Sequence, residues 1–148
     1  MIGNKINVLA FSGYYSPGYK GGGPIKTLAN LFSQTSNNID YRLITKDRDL
    51  GDNSVYSNVQ PGAWNEVKAT SVFYSQPGFK GLCQISKIMF SREHDLVYLN
   101  SFFSIRFSLF PLLISKLLAQ RVVLGPRGEL SAGALSLKVR KKDFHKII

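Results

Sequence analysis

The sequence has a single cysteine, Cys83, and two histidines among its 148 residues. A single cysteine excludes an intramolecular disulfide and fits a reducing compartment. His94 and His145 are far apart in the sequence, and neither has a cysteine or histidine at the spacing of metal ligands, so no metal site is predicted. The serines near Gly128 do not form G-x-S-x-G, which argues against a hydrolase nucleophile elbow.

Long apolar segments are also lacking. The run from Met1 to Phe11 is too short for the core of a signal peptide. The most lipid-like stretch, Phe102 to Ala119, is interrupted by Arg106, Pro111 and Lys116, which disfavours a membrane-spanning helix. These features predict a cytoplasmic protein and leave open a peripheral position at the inner face of the plasma membrane.

Two common nucleotide-binding loops are missing. A G-x-G-x-x-G fingerprint would require glycine at position 26, where Lys26 stands, and no glycine run is followed by the Lys and Ser/Thr of a P-loop. Binding of ATP or NAD is therefore disfavoured.

Acidic residues are few: 9 Asp and Glu accompany 19 Lys and Arg, and the formal net charge is +10. Such an excess indicates an anionic partner. Half of it lies from Arg121 onward, where seven basic residues accompany two acidic ones. A solvated helix face is the commonest meaning of a basic run, but this concentration favours an anionic membrane surface or a diphosphate acceptor. The run near the end comprises Lys138, Arg140, Lys141, Lys142 and Lys146.

An apolar fraction of 44% with 19% charged residues is typical of a globular protein, and residues 1–148 suffice for one domain. Short apolar runs alternate with helical periodicities. The alternation predicts a Rossmann-like α/β fold, in which helices cover both faces of a parallel sheet. The predicted strands are Lys5–Phe11, Tyr41–Thr45, Ser71–Ser75, Asp95–Asn100 and Arg121–Leu124. The predicted helices begin at Pro24, after Gly78, within Phe102–Ala119 and near Ala132.

Two segments break this regular pattern. Residues Lys46–Lys68 are polar and lack a sustained periodicity, which predicts a long irregular excursion with Tyr56 and Trp64 as apolar anchors. In the third helical segment, Pro111 predicts either a kink or a helix start delayed to about Ser108.

A glycine-rich stretch, Gly18–Pro24, lies between the first strand and the first helix. Glycine tolerates positive φ and proline suits the first helical turn, so backbone N–H groups there can approach an anion or a sugar. A flexible loop stiffened by Pro24 is the plainer interpretation. Because ligands of parallel sheets bind at the carboxyl ends of strands, we expect this loop to share one rim with residues 100–103 and 126–129.

Three blocks carry a family resemblance. They read Y-x-P-G-Y-x-G-G-G-P (Tyr15 to Pro24), D-L-V-Y-L-N-S-F-F-S (Asp95 to Ser104) and V-L-G-P-R-G-E-L-S-x-G-A-L (Val123 to Leu135), and K-x-x-K-K (Lys138 to Lys142) follows the last. In this order the blocks resemble the N-terminal domain of family 4 (group 1) glycosyltransferases of the GT-B fold, and they are spread over nearly the whole chain.

The resemblance implies one half of a GT-B fold, the acceptor-binding half of a retaining enzyme. Such an enzyme transfers a sugar from a nucleotide-sugar donor to a saccharide or lipid-linked acceptor, here in surface polysaccharide biosynthesis. The nucleotide sugar is a substrate, and no cofactor is implied. In the family a second Rossmann-like domain binds the donor and carries an E-x7-E motif, for which this sequence has no counterpart. We therefore expect a fragment, a split gene or an isolated domain that works with a separate donor-binding domain and shows no turnover alone.

The matching blocks and the expected rim supply the candidate substrate-binding residues. They are Gly21, Gly22, Gly23, Asn100, Ser101, Arg127, Gly128, Glu129 and Lys138. In the family the glycines approach the donor diphosphate and the transferred sugar. Some distant relatives have a histidine near the position of Asn100 and Ser101, but this chain does not, so the catalytic residue stays unknown. Asn100 alternatively serves as a turn residue, and Arg127 either contacts a ligand anion or pairs with Glu129.

A rival prediction from another class is a basic α/β module that binds RNA or another polyanion. Surfaces that bind nucleic acid often stack bases on exposed aromatic side chains. The aromatic residue in the basic run is Phe144, which the helical periodicity assigns to the core. Nucleic acid is therefore the less favoured partner.

Overall fold

The computed structural model describes residues 5–68 and 70–125, in which helices cover both faces of a six-stranded sheet. The strands are β1 (Ile6–Phe11), β2 (Ile39–Lys46), β3 (Trp64–Val67), β4 (Thr70–Ser75), β5 (Leu96–Leu99) and β6 (Val122–Leu124). The helices are α1 (Gly23–Thr35), α2 (Gly78–Phe90) and α3 (Phe110–Leu117). The strand order is β3-β4-β2-β1-β5-β6, and every neighbouring pair is parallel except β3 with β4. The Rossmann-like α/β prediction is confirmed.

β1 lies in the interior of the sheet and is covered on both faces. Its successive side chains point to opposite faces. Val8 and Ala10 pack in the core that includes the buried face of α1, and Leu9 and Phe11 pack in the core that includes α2 and α3. This two-sided burial explains why the strand is a continuous apolar run rather than an alternating one.

The helical periodicities are also confirmed. In α1 the buried side chains are Ile25, Leu28 and Phe32, and Pro24 lies in its first turn, where a missing N–H leaves no hydrogen bond unmade. In α2, Ile85 and Met89 are buried against the opposite face of the sheet.

The excursion Lys46–Lys68 contains a strand that the sequence analysis missed. β3 pairs antiparallel with β4, and Trp64 packs edge to face on Phe73 with ring centroids 5.4 Å apart. The other predicted anchor, Tyr56, packs on Tyr74 at 6.0 Å. The prediction of an irregular segment is therefore wrong at its end, because a four-residue strand with two polar residues has too little periodicity to be recognised.

The helix after β5 begins late. Pro111 lies in the first turn of α3, and a π-helical segment, Ile105–Leu109, precedes it. Ser104 accepts a hydrogen bond from the N–H of Phe107 (3.1 Å) and so begins this segment. The α-helix itself begins at Phe110, close to the predicted start near Ser108, but the π-helical turn that precedes it was not predicted. No helix in the described ranges is long and apolar enough to cross a membrane. The predicted helix from Ala132 lies outside these ranges.

Candidate functional site

The candidate site lies where the sheet changes direction. The chain leaves β1 toward β2 on one side, and it leaves β5 toward β6 on the other, so the carboxyl ends of β1 and β5 flank the topological switch point. An open cavity of about 360 Å³ lies there, which we name the switch-point cleft. Its lining comprises Ser12, Gly13, Tyr14, Gly21, Pro24, Lys46, Asn100, Ser101, Phe103 and Ser104.

The structure brings some of the predicted site residues together and separates others. Gly21, Asn100 and Ser101 line the switch-point cleft. Gly22 and Gly23 line a neighbouring depression beside Tyr19. The remaining candidates lie outside the described residues, namely Arg127, Gly128, Glu129 and Lys138.

Two of the glycines are required by the path of the loop. A Cβ atom at Gly21 would lie 2.8 Å from Cβ of Tyr14, so a side chain there would push the loop off this tyrosine. Gly22 has φ 71° and ψ −139°, a combination close to a region that glycine alone occupies readily. The loop can therefore turn into α1 beside the cleft.

The end of β5 is fixed by its neighbours. The N–H of Asn100 donates to the carbonyl of Phe11 (3.0 Å), which ties the residue to β1. The hydroxyl of Tyr98 donates to Oδ1 of Asn100 (3.4 Å). The next carbonyl, that of Ser101, accepts a hydrogen bond from the hydroxyl of Ser108 (2.6 Å), which links the loop to the π-helical segment. The position of Asn100 agrees with both a turn role and a ligand contact.

Asp49 holds the glycine loop in place, a role that the sequence analysis missed. Its carboxylate is 5% exposed and accepts hydrogen bonds from the N–H groups of Tyr19 (2.8 Å), Lys20 (3.1 Å) and Leu50 (2.8 Å). Burial acts to raise the pKa of Asp49, but these three donors and the charge of Lys20 outweigh it, so the pKa is lowered. Lys20 also pairs with Asp52 at 2.5 Å. The acidic stretch after β2 was the available signal in the sequence.

A second cavity, of about 270 Å³, lies next to the first at the ends of β2 and β4. We name it the lateral pocket. Tyr14 and Lys46 line both cavities. The ammonium of Lys46 donates to the hydroxyl of Tyr14 (2.9 Å) and lies 4.3 Å from the centroid of its ring. The other residues that line it are Asp47, Arg48, Asp49, Gly51, Asp52, Ser75, Pro77 and Arg106.

Arg106 reaches the lateral pocket from the π-helical segment. Its Nη2 donates to the hydroxyl of Ser75 (2.8 Å) and to the carbonyl of Gln76. Burial lowers the pKa of Arg106. A Cβ atom at Gly81 would overlap the guanidinium, so the absence of a side chain there makes room for this arginine.

The titratable groups beside the two cavities are engaged by neighbouring groups. The acidic residues near the cleft are engaged by cations or backbone N–H groups. His94 precedes β5 and so lies at the opposite edge of the sheet, where burial lowers its pKa. Residues 5–68 and 70–125 contain no group of three or more potential metal ligands. The side chains that line the switch-point cleft offer hydroxyl, amide and aromatic groups and the ammonium of Lys46.

The chain matches no protein-family model, no curated protein and no solved structure.

Proposed function

We propose that the chain is the acceptor-side half of a retaining GT-B glycosyltransferase of surface polysaccharide biosynthesis. In this proposal the switch-point cleft holds a saccharide or lipid-linked acceptor. A second Rossmann-like domain faces the cleft and presents the nucleotide-sugar donor. The observation that carries the proposal is the meeting of Gly21 with Asn100 and Ser101, since these residues come from two separate blocks of the family resemblance.

The lining of the cleft supports a saccharide ligand. The hydroxyl of Ser12 already donates to the carbonyl of Tyr14 (3.0 Å), so it can accept a hydrogen bond from a sugar hydroxyl. The hydroxyl of Ser104 and the amide of Asn100 add polar groups to the same lining. The aromatic rings of Tyr14 and Phe103 offer apolar faces of the kind that line small-molecule sites. A donor held on another domain also explains why no catalytic acid or base need lie here.

The experiment is saturation-transfer NMR with a panel of neutral saccharides. Phe103→Ala is expected to weaken saccharide binding by about tenfold, because about 1.4 kcal/mol of contact is lost. Phe79→Ala is the matched control, since Phe79 is 80% exposed and does not line the cleft. Equal saccharide affinities of Phe103→Ala and Phe79→Ala would overturn the proposal. Tight, salt-sensitive binding of RNA by a chain that binds no saccharide would also overturn it. The chain alone should show no turnover of a nucleotide-sugar panel.

The proposal includes peripheral contact with an anionic membrane. Ile105, Leu109, Leu113 and Leu117 recur every four residues and are exposed, so they form one apolar stripe along α3 and the segment before it. Lys116 lies beside the stripe, and the chain has a net charge of +10. An apolar face with a cation beside it, on a chain of net positive charge, suits the interface of a bilayer that contains anionic lipids. Sedimentation with anionic vesicles, but not with zwitterionic ones, is the expected result.

A further inference from the structure

The acidic residues of the lateral pocket are internally compensated. Asp47 is 2% exposed, and its two oxygens accept from Nε (2.8 Å) and Nη2 (3.3 Å) of Arg48. Asp49 is engaged by three backbone N–H groups, and Asp52 pairs with Lys20. Each carboxylate therefore has its own close partner, and the charge of Asp47 acts on Arg106 only from beyond ion-pair distance.

Two cations of the same pocket have neutral partners. The ammonium of Lys46 contacts the hydroxyl of Tyr14, and the guanidinium of Arg106 contacts a hydroxyl and a carbonyl. Among the described residues no carboxylate lies within ion-pair distance of either cation. The Nε atom of Arg106 is buried and has no hydrogen-bond partner among residues 5–68 and 70–125. Burying a charge is costly unless a counter-charge and hydrogen bonds compensate it.

The backbone adds a third favourable feature. α2 begins at Gly78, directly after Pro77, which lines the lateral pocket. The first N–H groups of a helix are unpaired within it, and its dipole places partial positive charge at this end. No side chain caps α2. The helix start therefore favours the same sign of ligand charge as Lys46 and Arg106.

We propose that the lateral pocket binds the phosphate group of an acceptor whose sugar occupies the switch-point cleft. The two cavities share Tyr14 and Lys46, so one ligand can extend from one into the other. Arginine has a planar fork of donors that matches a phosphate, and lysine adds a mobile point charge. The identity of the attached sugar depends on the proposed function, whereas the phosphate site does not.

The experiment is calorimetric titration of the whole chain with inorganic phosphate and pyrophosphate. Lys46→Gln and Arg106→Gln are each expected to weaken pyrophosphate binding by about tenfold, because each removes one charge-assisted contact. Lys87→Gln and Arg121→Gln are matched controls, since both residues are exposed and lie outside the lateral pocket. They should change the affinity by less than about twofold. Arg106→Lys keeps the positive charge at this position. If the weaker binding of Arg106→Gln comes from the lost charge and not from a disturbed fold, Arg106→Lys should recover part of the affinity.

Equal pyrophosphate affinities of the pocket variants and the controls would overturn the phosphate site. A chain that binds pyrophosphate through Lys46 and Arg106 but binds no saccharide would support the site and refute the proposed function. A sugar 1-phosphate and vesicles with a polyprenyl diphosphate then distinguish a free phosphorylated saccharide from a lipid-linked one. If Arg106→Gln leaves the advantage of a sugar phosphate over its neutral sugar unchanged, the two cavities do not hold one ligand.

Discussion

Asp49→Ala is expected to detach the glycine loop from the segment after β2. The carboxylate is buried, and its hydrogen bonds with the N–H groups of Tyr19 and Lys20 join parts of the chain that are far apart in sequence. Hydrogen bonds to a charged group contribute about 1.5 kcal/mol or more each, so the loss of two costs about 3 kcal/mol. For a chain of this size that lowers the Tm by roughly 6–12 °C.

Urea unfolding followed by the fluorescence of Trp64 measures this loss, since Trp64 is the only tryptophan and packs on Phe73. Asp52→Ala is the matched control. It removes the same charge from the same segment, but its ion pair with Lys20 is partly exposed and screened by water. Equal free energies of unfolding for Asp49→Ala and Asp52→Ala would refute the assignment of Asp49 as the residue that holds the loop.

The pH dependence provides a second test of the same assignment. Because the pKa of Asp49 is lower in the folded protein, the carboxylate stabilises the fold fully above its unfolded pKa of about 3.9. This contribution is lost as the pH falls through the lower folded pKa. The difference in unfolding free energy between the wild type and Asp49→Ala should be constant from neutral pH to about pH 5 and shrink below about pH 4. A difference that persists at the acid end would contradict the hydrogen-bonding account.

Three further outcomes are expected. Gly22→Ala should lower the free energy of unfolding in urea by about 2 kcal/mol, because Gly22 has a positive φ. Gly23→Ala, at the start of α1, should change it by less than about 1 kcal/mol, and similar values for the two variants would argue against backbone strain at Gly22. Burial raises the pKa of Tyr74 to about 12 from the ordinary 10.0, so unfolding free energy should fall between these pH values, and Tyr74→Phe should reduce that fall in an alkaline denaturation series. Leu113→Glu should reduce sedimentation with anionic vesicles, and Ser33→Glu, exposed on α1, should not; an equal reduction would show that added charge alone is responsible.

The elements around the sheet centre follow from local patterns. β1 is an unbroken apolar run because both its faces are covered, and the buried stripe of α1 has a clear helical spacing. β3 lacks such a pattern, because two of its four residues are polar and its pairing depends on the contact between Trp64 and Phe73. The π-helical segment before α3 likewise depends on a local cap, Ser104, that hydropathy does not register.

In the candidate site, too, some features follow from sequence patterns and others depend on contacts between distant segments. The common location of Gly21, Asn100 and Ser101 could be predicted, since topology alone decides which strand ends lie side by side. Asp49 and Arg106 could not be assigned in this way, because their contacts join segments separated by long stretches of sequence. The wider separation of Gly22 and Gly23 from the cleft follows from the turn that Gly22 makes, which the sequence does not specify.

Lys46 has one ammonium group and lies on the wall between two cavities. Two ligands that each contacted this ammonium would not bind independently, because each would change the position and the charge compensation of the same group. Thermodynamic reciprocity then requires that the factor by which a phosphate alters the affinity for a sugar equals the factor by which the sugar alters the affinity for phosphate. The order in which the two are added would change the path to the ternary complex but not its stability, and a Lys46→Gln chain should bring this factor close to one.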